Sequence, residues 1–377
     1  MKEQEIVLPL SSGMVTDLNP LLSDGIRFDL LENLYQEDSF LVAEPYFQPV
    51  ATLEENVEVD GYAYSISPVN KSFTIAFKLG TCLYKLVDDG EKQTLFKYAD
   101  LIKEDEVWDT ETGIKISDAK PFVEIDDSSI LQYAQWTWSS NDIAVSTAFF
   151  TKPGLPLTKF GGSSIELIKP TFTQNISPVY LSAKYILVTN DRMFLANCYE
   201  GDKHYPTRIH WSQINNPEKW AVESTSEADY FDLGINSLEI TGLGYSNNVV
   251  FIFTRNSIWR SDYEGFDAKF RTTKFTSNTG CLYNYSAITV NEIIYFIGKD
   301  NIYSIDNLTI TPIGTPIWKW FKENSAVNAT ENIVAQYEAN QNSITWIFKR
   351  KVNDSVETWG LKYNITDKTW SLRNMQS

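Results

Sequence analysis

Apolar and polar positions alternate in paired short runs along most of this chain. "FTIAFKLGTCLYKLVDD" (73–89), "QYAQWTWSSNDIAVSTAFF" (132–150) and "YILVTNDRMFLANC" (185–198) each hold two β-rich runs joined by a polar turn. "VVFIFTRNSIWRSDY" (249–263), "IIYFIGKDNIYSID" (293–306) and "ITWIFKRKVNDSVETWGLKYN" (344–364) repeat the arrangement. Such runs read as strands. Their turns carry Gly, Asn, Asp or Ser, which tolerate the left-handed conformation or bond their own backbone. The six hairpins recur at intervals near the roughly 40–50 residues of a four-stranded propeller blade, with loop insertions added. Further strand candidates fall between them: "TRIHWSQ" (207–213), "AKFRTTKF" (268–275), "LTITPIG" (308–314) and "KTWSL" (368–372). The pattern predicts an all-β fold, a β-propeller of six blades. A pair of β-sandwiches is the rival, with turns about every 8–12 residues and no longer period. No stretch sustains helical periodicity, although "SPVYLSAKYIL" (177–187) has room for a short helix.

Two segments fall outside the pattern. Residues 1–56 read as an N-terminal strap: one strand, "EIVLPL", a loop with Pro20, and "IRFDLLENL" (26–34) with helical character. Residues 57–377 then form the propeller, interrupted at 99–129 by an acidic insertion, "ADLIKEDEVWDTETGIKISDAKPFVEIDDSS". Its charge predicts a solvated loop or small subdomain.

Composition sharpens this picture. The chain has 377 residues, enough for a large core, and is 14% aromatic with 11 Trp, 20 Tyr and 21 Phe. That enrichment excludes a disordered chain and favours strands. The net charge of −17 argues against a nucleic-acid footprint. The opening MKEQEIVLPL lacks a basic region followed by a long apolar core, so no signal peptide is expected. Apolar runs such as "VVFIF" are too short to span a membrane. Three dispersed cysteines, Cys82, Cys198 and Cys281, predict no disulfide framework and a reducing compartment.

Catalytic chemistry finds little purchase. His204 and His210 lie outside any HExxH or paired-cysteine motif, so no zinc site is expected. No GxSxG or phosphate-binding loop occurs, and "GLGYSN" (242–247) lacks a third glycine. The acids of "KEDEVWDTE" and "EIDDSS" offer close pairs for glycoside hydrolysis, but they crowd in a hydrophilic loop rather than an apolar pocket that raises one pKa. No DxDxDG loop marks a calcium site. The expectation is no catalytic residue, no metal and no cofactor.

"RIHWSQINNPEKW" (208–220) is the most distinctive string. A strand stops at Trp211, the chain turns through Asn-Asn-Pro, and a second indole follows at Trp220. "NNPEKW" reads as one helical turn, with Asn216 as N-cap and Pro217 at the first helical position. That turn folds Trp220 back over the loop near Trp211. An aromatic cage needs three or four rings with open faces, so packing is the expectation.

Taken with other stretches in order, this string resembles the β-propeller tail hub proteins of short-tailed phages, also called nozzle or packaged-DNA stabilisation proteins. "LSSGMVTDLNPLLSDG" and "RFDLLENLYQEDSFLVAEPYF" resemble the opening strap of that family. "RIHWSQINNPEKW", "YFDLG" (230–234) and "EITGLG" (239–244) follow, then the hairpins at 249–265 and 293–306. "ITPIGTPIWKWF", "NIVAQYEANQNSITWIF" and "LKYNITDKTWSL" close the chain. The resemblance implies a virion protein assembled in the host cytoplasm. As a homohexameric ring under portal and adaptor, it would form the DNA exit channel, help to retain the genome, and carry fibres, a needle or other tip proteins. DNA would pass without specific binding, since phosphate contacts would stall it. Glu104, Asp105, Glu106, Asp109 and Glu111 become candidates for the lumen or an interface. The alternatives are a propeller recognising glycans or proteins at a cell surface and, behind it, a propeller glycosidase.

Overall fold

In the computed structural model, each of the six expected hairpins is a pair of neighbouring antiparallel strands. Side chains are described for residues 32–34, for most of 129–159, for 168, and for 181–375 apart from 202, 223, 235–236, 266–268, 328–331 and 354. The remaining described parts of 10–167 are described as strands. The strap holds β1 (Leu10–Met14) parallel to β2 (Ile26–Phe28), and β3 (Leu34–Glu37) antiparallel to β4 (Phe40–Ala43). So 26–28, expected to be helical, is a strand. Its alternation of Ile26 and Phe28 about Arg27 suits a strand better than one helical turn.

Four-stranded antiparallel meanders follow. The first is β5 (Val59–Ile66), β6 (Phe73–Leu79), β7 (Cys82–Asp88) and β8 (Gln93–Asp100). In the acidic insertion, β9 (Val107–Trp108) pairs with β10 (Lys115–Ile116). Next come β11 (Gln132–Ser140), β12 (Ile143–Lys152), β13 (Leu155–Phe160) and β14 (Ile165–Leu167), then β15 (Leu181–Thr189), β16 (Arg192–Glu200), β17 (Lys203–Trp211) and β18 (Asp229–Asp232). The third of this run is β19 (Ile240–Ser246), β20 (Val249–Thr254), β21 (Ile258–Gly265) and β22 (Lys269–Thr276). After it stand β23 (Ile288–Val290), β24 (Ile293–Ile297), β25 (Ile302–Asp306) and β26 (Thr309–Pro312). The last is β27 (Val334–Glu338), β28 (Ser343–Val352), β29 (Ser355–Asn364) and β30 (Thr369–Asn374). The fold is thus an all-β succession of propeller blades. Five of them, from Gln132 to Asn374, carry described side chains, instead of the six expected. The 59–100 meander is defined by backbone pairing and is set apart by the insertion.

The chain divides into two compact units: 1–48 with 244–260 and 273–377, and 49–243 with 261–272. Within each, first strands of successive sheets are neighbours: β5 lies by β11, β11 by β15, and β23 by β27. Asparagine drives the tight hairpins. Asn190-Asp191, Asn247-Asn248, Asn291-Glu292 and Asn307-Leu308 all have positive φ at both positions. That is the type I′ geometry, whose twist matches the strands it joins. The second strands β16, β20 and β24 are mostly buried, completely so in β20, because both sheet faces are covered there.

In the second unit, Trp136, Phe149, Leu157, Leu181, Met193, Leu195 and Trp220 share one core. In the first unit, Phe251, Phe253, Ile294 and Phe296 build one cluster, and Ile317, Phe321, Trp346, Leu361, Trp370 and Leu372 another. Burying an aromatic of this size stabilises by roughly 3 kcal/mol.

Two further expectations are corrected. The stretch 177–187 holds the start of β15 rather than a helix, its Leu181 and Ala183 facing the core. Conversely a helix, α1 (Trp318–Asn324), occurs where none was read. It seats Phe321 against Phe348 at 5.1 Å between ring centroids. Seven residues are too few for a periodic signal, and tertiary packing holds such a helix.

Candidate functional site

The 208–220 string lies where β17 ends and the chain loops to β18. Trp220 is fully buried and Trp211 is 2% exposed. Trp220 Nε1 donates to the Pro217 carbonyl at 2.7 Å, and Trp211 Nε1 to the Glu227 carbonyl at 2.9 Å. Asn216 Oδ1 accepts from the Glu218 amide at 2.9 Å. The expected helical turn is instead a compact turn. Gln213 N donates to the Lys219 carbonyl, and Gln213 bridges to Asn216, so the loop closes as a small β-like link. Gln213 Oε1 also accepts from Ser226 Oγ and the Glu227 amide. Lys159 of β13 reaches Glu218 at 2.9 Å, tying the turn to the preceding sheet. Asn216, Pro217 and Trp220 are held together in the turn, but the two indoles do not meet as expected. Trp220 lies against His210 in the core of Trp136 and Phe149, while Trp211, one position along β17 from His210, packs on Phe194 and Phe270.

Beside the turn sits an ionic cluster that the sequence reading missed. β17 and β18 pair Arg208 opposite Asp232 and His210 opposite Tyr230. Arg208 binds Asp232 through Nε and an η nitrogen at 2.8 and 2.7 Å, and donates to Glu200 at 2.9 Å. Its guanidinium lies 3.8 Å from the Tyr205 ring centroid and 3.9 Å from that of Tyr230. Burial opposes its charge, but Asp232 and Glu200 overcome it and raise the pKa. Burial likewise opposes ionisation of Glu200, and His210 and Arg208 overcome that, leaving the carboxyl below its usual value. His210 is buried edge-on to Trp220 at 5.2 Å, with Nδ1 3.7 Å from Glu200.

A second cluster joins β16 to the loop and to β21. Arg192 pairs with Glu227 and lies 4.6 Å from the Tyr263 ring centroid, while Tyr263 Oη donates to Glu227 at 3.2 Å. Burial pulls the Arg192 pKa down, against Tyr263 and Asp191. Lys269 meets Asp229 at 2.8 Å and the Ala228 carbonyl at 3.1 Å.

Each charged group of the two clusters meets an opposite charge, which is what makes a buried ion tolerable. Among the described residues no cluster of three or more His, Cys, Asp or Glu is spaced to hold a metal. His204 stacks on Tyr199 and sits 2.6 Å from Asn197, with its pKa lowered by burial. Cys198 and Cys281 are buried free thiols, and burial pushes Cys198 well up. Glu104, Asp105, Glu106, Asp109 and Glu111 lie outside the described residues. No described helix is long and apolar enough to cross a membrane.

No protein-family model matches the chain. No curated protein matches it in sequence. Among solved structures it is similar to a fucose-specific lectin from Aleuria aurantia, at 11% identity, covering 80% of this chain and 72% of that one, with a TM-score of 0.32. It is also similar to the Pan2 WD40 domain of Neurospora crassa, at 8% identity, covering 88% and 83%, with a TM-score of 0.35. Likenesses at this level carry nothing about activity. The class rests on the strand pairing: an all-β protein of propeller blades.

Proposed function

We propose that this chain is a structural propeller of a short-tailed phage tail. Six copies form a hub or nozzle ring below portal and adaptor, enclosing the DNA exit channel and helping to retain the packaged genome. In this reading the 59–100 meander is a blade like the other five, and the protein works without catalysis or cofactor. The observation that carries the reading is the construction of its signature. Trp211, Asn216, Pro217 and Trp220 serve as joinery, with both indoles buried and both ring N–H groups spent on backbone carbonyls. The net charge of −17 suits a conduit that repels the DNA backbone and lets it slide.

A second reading, a propeller that recognises glycans or proteins at a cell surface, draws on Tyr230 and Tyr263, exposed at 43% and 42%. Their rings are already faced by Arg208 and Arg192, so they make poor stacking platforms and this reading ranks second. The test is reconstitution with the portal and adaptor proteins of the same genome, beside a glycan array. Stable addition to the portal–adaptor complex with an empty array is expected. Glycan binding lost in Tyr230→Ala, without any addition to the complex, would replace the first reading with the second.

A further inference from the structure

Arg350 of β28 gathers three separate parts of the first unit. Its guanidinium lies 4.3 Å from the ring centroid of Trp359 on β29 and 5.2 Å from that of Trp320 on α1. Its backbone forms an antiparallel bridge with Ser325, the residue that follows α1. The Ala326 amide donates to the Lys349 carbonyl at 2.8 Å beside it. On the other side, an η nitrogen donates to the strap carboxylate of Glu32 at 2.6 Å. The Arg350 side chain is 12% exposed, and its Nε meets no acceptor among the described residues. Among those residues Glu32 is the carboxylate that answers its charge.

The two segments that meet at Arg350 are both thinly held. Residues 32–34 lie along β30 through a Glu32–Leu372 bridge, the Asn33 amide on the Leu372 carbonyl at 2.7 Å, and the Asn33 side-chain oxygen on the Asn374 amide at 2.8 Å. Leu34 adds a half-buried contact with the core of that sheet. The helix α1 has seven residues, no side-chain cap at its start and one buried residue, Phe321. A helix so short stands on its tertiary contacts. Removing the strap would leave a mostly buried guanidinium without its carboxylate, which is far costlier than letting it go. A long arginine side chain can answer by turning its head to water. In doing so it leaves the face of Trp320.

We propose that these contacts form a conformational device: docking of residues 32–34 on β30 holds α1 in place through Arg350, so that strap and helix are seated or released together. Arg350 is the positioning residue, with two arrangements. Its guanidinium lies between the indoles with Glu32, or it lies in water with neither. Such coupling is reciprocal. Whatever draws residues 32–34 off β30 frees α1 and uncovers Trp320, and whatever holds α1 in its released position loosens the strap.

The test is amide hydrogen exchange of the full-length chain beside Glu32→Gln, Arg350→Met and the double variant. Glu32→Gln keeps the shape of the strap contact and removes its charge. In that variant the amides of Phe321, Ser325 and Ala326, which bond to Ile317, Phe321 and Lys349, should exchange about fivefold faster, while β16 and β17 keep the parent's rates. Arg350→Met puts an uncharged chain between the indoles, so there is no charge for the strap to answer. Whatever rate Arg350→Met itself sets at 321–326, adding Glu32→Gln to it should change nothing further. Unchanged exchange at 321–326 in Glu32→Gln would show that strap and helix are independent. Equal acceleration in the Arg350→Met background would route the coupling away from the guanidinium, and acceleration in β16 and β17 as well would make it a general loss of stability. Each of these three results overturns the device.

Discussion

The sheets β15–β18 and β27–β30 share one topology and finish their outer edges in opposite ways. β18 is four residues long and alternates half-buried with exposed positions. Its outward side chains are Tyr230 and Asp232, the latter held by Arg208. β30 is six residues long and buried until its last position. Trp370 Nε1 donates to the Ile313 carbonyl, and Leu34 and Phe321 share its core. An open strand edge must be charged, shortened or covered. The first sheet uses charge and brevity, and the second uses cover borrowed from distant parts of the chain. The lesson is that an edge finished by charge reads as polar in sequence, whereas an edge finished by cover reads as core.

Substitutions break this contrast to different degrees. The largest loss is expected at Trp220, where Trp220→Ala removes a fully buried aromatic and should cost roughly 3–5 kcal/mol. Thermal unfolding that coincides with the parent would show that Trp220 is not part of the core. Arg208→Leu should cost on the order of 2 kcal/mol. It leaves Glu200 without its guanidinium, but the half-exposed Asp232 is screened by water and lessens the loss. Urea unfolding of Arg208→Leu and Asp232→Asn should rank them in that order. A smaller effect, about 1 kcal/mol, is expected for Glu32→Ala, because its ion pair with Arg350 is part-exposed.

Titration separates the two sheets with the smallest effects. The Glu200 carboxyl lies below its unfolded value, so its contribution is present at neutral pH and is lost as the pH falls through the folded value. Stability of Glu200→Gln should therefore depend less on pH on the acid side. Burial, then Tyr295, raises the Tyr363 hydroxyl to about 12. That contribution is full below the ordinary value near ~10 and is lost as the pH rises toward 12. Tyr363→Phe should accordingly keep its stability at high pH, where the parent loses some; equal losses would contradict the assignment.

The hairpins were legible because their turns are written in local chemistry. "TND" (189–191) and "VND" (352–354) place Asn190 and Asn353 at positive φ, and the flanking alternation does the rest. The turns "SNN", "VNE" and "DNL", by contrast, join strands outside the six hairpins read from sequence. The burial of both indoles in 208–220 was legible, but their separation was not, because alternation along β17 sets His210 against Trp220 and Trp211 against Phe270. What sequence hid depends on partners far away. Arg208 finds Asp232 through strand register, 24 residues on. Arg350 finds Glu32 across 318 residues. The helix at 318–324 and the strand at 26–28 were misread because short elements take their form from packing rather than propensity.

The reading of this chain as a tail-hub propeller meets its most direct test in the intact particle. Electron cryomicroscopy of the virion, with this chain located by a tag, gives both its copy number and its position. Six copies encircling the tail axis below the portal and adaptor is the predicted result. A number not divisible by six, or a position away from the axis, would contradict it.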